Sequence, residues 1–327
     1  QTAHRLGIPT QVNTTIHRGT IDILEEMAEL MSELKKLQID IKRSTLGRGQ
    51  YSYGQLVEHV ERMLKRVPPE WVSKPGIQYI LAELYGAMLP EGFDRAEAAC
   101  QQAIVHEDKE GQVPIRALEL LGNLESRQAE KLSEQAAEKK VDSQQSGIEA
   151  QERRSLMAER ERLLDRALRL SDSAIKRLRG LLNITHEMHV LSGNEEGARC
   201  EINSERFALL GSALKRKAMV LARHDNHEWD DILVTLQDCC EYYAQGEGVS
   251  FDLNFNPYVT INRLQLDGLL GVRSAKHIEL AQKARDAARQ QFLQSLDFFD
   301  GVMTANAVVA IYLLSNDDLA GLISEGQ

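Results

Sequence analysis

Several groups of residues in this chain have types and spacings that could do chemistry. His186-Glu-Met-His189 sets two imidazoles at i and i+3, and His224 and His227 repeat that step. A zinc-protease helix needs histidines at i and i+4 on one face, with a glutamate between them. The shorter step, with no third ligand identified, reads as exposed histidines near helix ends. A metal-dependent enzyme built on both pairs is the alternative. Cys239-Cys240 could act through a thiolate only beside a base, and the pair falls in an apolar helical pattern, so packing is expected. The run Lys215-Arg216-Lys217 could hold a carboxylate by charge-assisted hydrogen bonds. Otherwise it offsets the negative end of a helix. No phosphate-binding glycine loop, dinucleotide fingerprint or nucleophile elbow occurs. The reading is therefore one of binding, with no catalytic residue, no metal and no cofactor.

Helices must position these groups. The 327 residues include only 7 Pro and 5% aromatics, and Ala, Leu, Glu, Gln, Lys and Arg dominate, which favours helix nearly throughout. Runs of alternating Val, Ile and Thr, which would argue for a sheet, are absent. The formal charge of −10 argues against general nucleic-acid binding, because a phosphate backbone requires a basic surface. Cys100, Cys200, Cys239 and Cys240 show no CxxC spacing, which fits a reducing, cytoplasmic setting. The apolar run from Val308 to Leu314 is too short to cross a bilayer. The chain opens on Gln1, so we expect a piece of a longer protein whose other parts hold any chemistry.

Periodicity supplies the elements. Ile23, Met27, Leu30, Leu34, Leu37 and Ile41, preceded by Ile16, form a heptad seam that ends at Gly47 and Gly49. Leu56, Val60, Met63 and Val67 repeat the spacing, so residues 14–66 read as a helical hairpin closed by Pro68-Pro69. Internal packing is one use of that seam, and homo-oligomerisation is the other. Residues 133–155 are rich in Gln, Glu, Lys and Ser, the composition of a solvated helix extension or a disordered connection. A second seam follows at Leu164, Leu168, Ser171, Ile175, Leu178 and Leu182.

The most informative stretch is Ser204 to Ala218. Phe207, Leu210, Gly211 and Leu214 stand at relative positions 0, 3, 4 and 7, one helix face with a glycine where a neighbour must come close. Ile232, Leu236 and Cys239 give the apolar face of the next helix. The pair resembles a tetratricopeptide repeat, a Trp-x2-Leu-Gly-x2-Tyr helix followed by an Ala-x3-Phe-x2-Ala helix. Leu81, Ala82 and Tyr85 with Ala96, Cys100 and Ala103 resemble another such repeat, with two extra residues held by the turn Leu89 to Gly92. Leu118, Leu121, Gly122 and Leu124 look like a third, in which Glu125 replaces the aromatic. Tyr258, Ile261, Asn262 and Gln265 open a later one. Residues 274–294 supply an Ala-rich partner helix, and Asp297 is placed to cap a last helix. Ile115 to Arg127 and Phe251 to Asn262 further resemble helical arms of large bacterial proteins that accompany caspase-like CHAT proteases or other signalling effectors.

The resemblance implies an all-α fold: an N-terminal hairpin (1–67), helix pairs (75–135), a polar linker or extension (136–155), and further pairs with a capping helix (156–320). It also implies a concave groove lined by the first helices. By its register Ser212 and Lys215 face that groove with Arg216 on the margin, and Arg263, Tyr79 and Glu83 are further groove positions. The expected function is recognition of a peptide or protein partner, possessing no activity of its own, as a scaffold or sensing arm of a signalling or defence protein. A regulatory or inhibitory subunit that oligomerises through its hairpin is the alternative.

Overall fold

The computed structural model describes residues 18–44, 52–105, 112–192, 204–225, 227–253, 255–295 and 298–315. Among them there is no strand. The helices run α1 (Arg18–Ser44), α2 (Tyr53–Leu64), α3 (Pro69–Val72), α4 (Pro75–Gly86), α5 (Phe93–Val105) and α6 (Gln112–Ser143). They continue as α7 (Ala150–Ser192), α8 (Ser204–Arg223), α9 (Trp229–Leu253), α10 (Pro257–Leu269), α11 (Ala275–Ser295) and α12 (Phe298–Ser315).

Local chemistry sets the starts. Ser52 and Gln55 satisfy each other's backbone N–H groups at the head of α2, a capping box. Prolines 69, 75 and 257 occupy first-turn positions, where their missing N–H costs nothing. Asn256 caps α10 by accepting from the Tyr258 N–H at 3.0 Å. Asp297 lies outside the described residues.

Leu30, Leu34 and Leu37 of α1 are buried in one core with Leu56, Val60 and Met63 of α2 and Ile77, Ile80, Leu81 and Leu84 of α4. α1 packs along α4, so the described part of the heptad seam is covered within the chain. Ile16, Gly47, Gly49 and the side chains of Ile23 and Ile41 lie outside the described residues. The polar stretch 133–155 is helical on both sides of a turn at 144–149, so α6 and α7 form a long antiparallel pair. Burial of Ala136, Ser143 and Arg160 explains why so polar a stretch holds its place.

Beyond α3, each helix packs against the next in sequence. Alternate helices also meet: α4 touches α6, α6 touches α8, α8 lightly touches α10, and α10 touches α12. In the other row, α5, α7 and α9 are linked at the surface by exposed ion pairs, Asp94 with Arg166 and Arg179 with Asp238. Closer approach along one row curves a stack toward that row. We call the α4–α6–α8–α10 row, whose members meet one another directly, the inner row, and its surface the inner face.

Candidate partner-binding face

α8 owes its position to a glycine. A Cβ on Gly211 would stand 3.0 Å from the Tyr243 ring of α9, so the two helices approach as only a missing side chain allows. Gly122 stands in the same relation to Leu178 in the preceding pair, at 2.9 Å. The Gly211 carbonyl also accepts from Cys239 Sγ at 3.0 Å. Next along, Ser212 is buried at 8% exposure. Its hydroxyl joins the Tyr243 hydroxyl at 2.9 Å and the Tyr258 hydroxyl at 2.8 Å, tying α8 to both α9 and α10. Because α8 and α10 meet only lightly, a cleft of about 400 Å³ opens between them, lined by Glu205, Ala208, Leu209, Ser212, Asn256 and Tyr258.

One turn beyond Ser212 the seam becomes cationic. Lys215 Nζ donates to Asn262 Oδ1 at 3.2 Å, a neutral partner. Burial holds its pKa below the ordinary lysine value, Arg216 adding to the depression and Glu130 opposing it. Arg216 Nε donates to Glu130 Oε2 at 3.0 Å, and its Nη1 donates to Ser126 Oγ at 3.2 Å. Arg127 of α6 completes the cluster. Its guanidinium pKa is lowered by burial and then by Arg216, with Glu130 acting in the other direction. Three cations thus act against one carboxylate, an excess of two positive charges in a chain whose formal charge is −10. Elsewhere α6 and α8 are joined by Arg206 with Glu119 at 2.5 Å and by Arg223 with Ser133 at 2.6 Å. These are matched or neutral contacts.

Tyr79 and Glu83 are the half-exposed positions one turn apart on α4, facing Arg116 and Glu119 of α6. Burial, and then Glu83, pushes the Tyr79 hydroxyl up to about 12. Arg263 lies elsewhere. Its guanidinium is held by Glu247 of α9 and Asp267 of α10, and Thr260 and Cys240 complete that network. A buried guanidinium needs carboxylates more than it needs solvent, and both carboxylates lie toward α9. Arg263 is thus engaged by α9 and by its own helix.

His224 and His227 meet edge to face at 4.8 Å, while the side chains of His186 and His189 lie outside the described residues. Cys100 and Cys239 are fully buried, and burial pushes both thiols up to about 12, the opposite of what a nucleophile requires. Sequence reasoning misses Arg127 and the buried Arg160. For Arg127 a signal exists: it stands five residues after Gly122, as Arg216 stands five after Gly211, so equivalent positions of two repeats converge. For Arg160 there is none.

With that geometry in view, a family model described as Tetratricopeptide Repeats-Sensor matches residues 52–267, from the cap of α2 into α10. The match takes in the cleft and the cationic cluster. No curated protein matches the chain.

Proposed function

The chain belongs to the Tetratricopeptide Repeats-Sensor family, and we propose that it recognises an acidic segment of a protein partner on its inner face. The observation carrying this reading is the uncompensated charge of Arg127 and Lys215 beside the Arg216–Glu130 pair. Half-buried cations without carboxylates are costly to the fold, and an incoming carboxylate removes that cost. The adjoining cleft offers Leu209 and Tyr258 to the apolar part of the same segment. Ser212, Lys215 and Arg216 form the proposed contact set, with Arg127 added and with Tyr79 and Glu83 extending it toward α4.

In this reading the chain is the sensing or scaffolding arm of a larger bacterial signalling or defence protein acting in the cytoplasm. Catalysis, by a caspase-like CHAT protease or another effector, belongs to a different domain or to a partner. The described part of the α1 seam is covered internally, which weighs against oligomerisation through the hairpin. Among the described residues no helix is long and apolar enough to cross a membrane.

The test uses two pools of short fluorescein-labelled peptides, one rich in Glu and Asp, the other rich in Lys and Arg, followed by anisotropy. Acidic peptides should bind and basic ones should not. Arg127→Gln with Lys215→Gln should weaken binding by at least about tenfold, since charged hydrogen bonds contribute about 1.5–3 kcal/mol each. Lys35→Gln with Lys36→Gln, which remove equal charge from exposed positions of α1, should change it less than about twofold. Equal binding of both pools, or equal losses in the two double variants, would overturn the assignment.

A further inference from the structure

The geometry points to a second site: we propose that Glu161, Asp165 and His224 bind one first-row divalent cation, zinc being the best fit, which clamps α7 to the end of α8. Glu161 and Asp165 are four residues apart on α7, so their carboxylates share one face. His224 is the first residue beyond α8, where its N–H donates to the Leu221 carbonyl at 3.0 Å. Its imidazole is more than nine-tenths buried, at 8% exposure, so packing fixes the ring. Its Nε2 stands 3.7 Å from Glu161 Oε1 and 3.7 Å from Asp165 Oδ1. The three ligand atoms all lie within 4.8 Å of one another.

Ligand atoms about 2.0–2.1 Å from a tetrahedral zinc stand about 3.4 Å from each other. Closing the two 3.7 Å distances from Nε2 to that value takes a few tenths of an ångström, and the two carboxylate oxygens, within 4.8 Å of each other, turn toward one another. The carboxylates can supply the movement, because their side chains are 47% and 52% exposed while the imidazole stays fixed. That exposure also provides the entry path and leaves the fourth position to water. Two carboxylates balance the charge of a dication, and the carbonyl end of α8 adds negative potential. One imidazole nitrogen selects for zinc and its neighbours over calcium and magnesium, which take sets of oxygen ligands.

The obvious competitor is already occupied. Arg160 lies beside Glu161 in sequence, but its guanidinium is held by Asp225 at 2.8 Å and the Arg223 carbonyl at 2.7 Å. His227 meets the His224 ring edge to face, and its Nδ1 is 3.6 Å from Asp231. Thus the partner of His224 is the α7 carboxylate pair rather than the second histidine that the sequence spacing singles out.

Tag-free, EDTA-treated chain titrated with zinc chloride in a calorimeter tests the proposal. One zinc should bind per chain and raise the melting temperature, whereas calcium chloride and magnesium chloride should give neither effect. His224→Ala should weaken zinc binding at least about tenfold. Because that change opens buried space, Asp165→Asn provides a second variant on an exposed side chain, with helicity checked by circular dichroism, and it should show the same loss. His186→Ala with His189→Ala should leave binding intact. No zinc bound by the parent, calcium binding as tight as zinc, or zinc binding retained in both His224→Ala and Asp165→Asn would overturn the site.

Discussion

At the scale of single residues, the face depends on contacts that leave little slack. Gly211 lies against the Tyr243 ring, and that ring cannot retreat, because its hydroxyl is bonded to Ser212 on the same helix. Gly211→Leu should therefore destabilise the chain by about 1–3 kcal/mol, read as a lowered melting temperature, and an unchanged melt would contradict the packing. Glu125 is a comparable case. Only 3% exposed, it accepts from Ser173 at 2.8 Å and from Arg177 at 3.0 Å and 3.2 Å. Glu125→Ala removes the carboxylate that holds the part-buried Arg177 guanidinium and should cost about 2 kcal/mol, the range of hydrogen bonds to charged groups, measured by chemical denaturation. The two residues differ in legibility. Gly211 announces itself by its spacing from Phe207, Leu210 and Leu214. Glu125 looks like a defect in the repeat, because its partners lie about fifty residues away and local pattern carries no trace of them.

Among the elements, amphipathic periodicity marked most of the helices, and polar composition left residues 133–155 ambiguous. What orders the end of the α6–α7 pair is the buried guanidinium of Arg160, which binds the Arg223 carbonyl and so satisfies part of the C-terminal end of α8. Arg160→Ala should cost about 2 kcal/mol, the range of hydrogen bonds to charged groups. It should also speed amide exchange in the last turn of α8, and exchange rates equal to those of the parent would contradict the role. The register of first helices set Ser212 and Lys215 on one side of α8, and in the structure both reach across to α10. That register says nothing of Glu247 and Asp267, which bind the Arg263 guanidinium.

Over the whole molecule, burial of thiols and phenols makes stability depend on alkaline pH. Cys100, Cys239 and Cys240 are pushed by burial from 9.0 to about 12, and Tyr79 is pushed from 10.0 to about 12. Folded-state pKa values raised above unfolded ones mean that the fold favours the protonated forms. Their contribution is complete below about pH 9 and is lost as pH rises toward 12. Lys215, whose pKa is lowered by burial, works in the opposite direction but is one group against several. Melting temperature should accordingly hold between pH 7 and 9 and then fall, with Cys239 resisting alkylation at pH 8. A flat profile to pH 11 would contradict the burial.

Amide exchange read by mass spectrometry, with and without an excess of a glutamate-rich peptide, tests most directly whether the inner face is the recognition surface. The account predicts slowed exchange in 204–218 of α8, 257–265 of α10 and 123–130 of α6, with α5, α7 and α9 unchanged. Protection confined to α5, α7 and α9, or equal protection when a lysine-rich peptide replaces the acidic one, would contradict it.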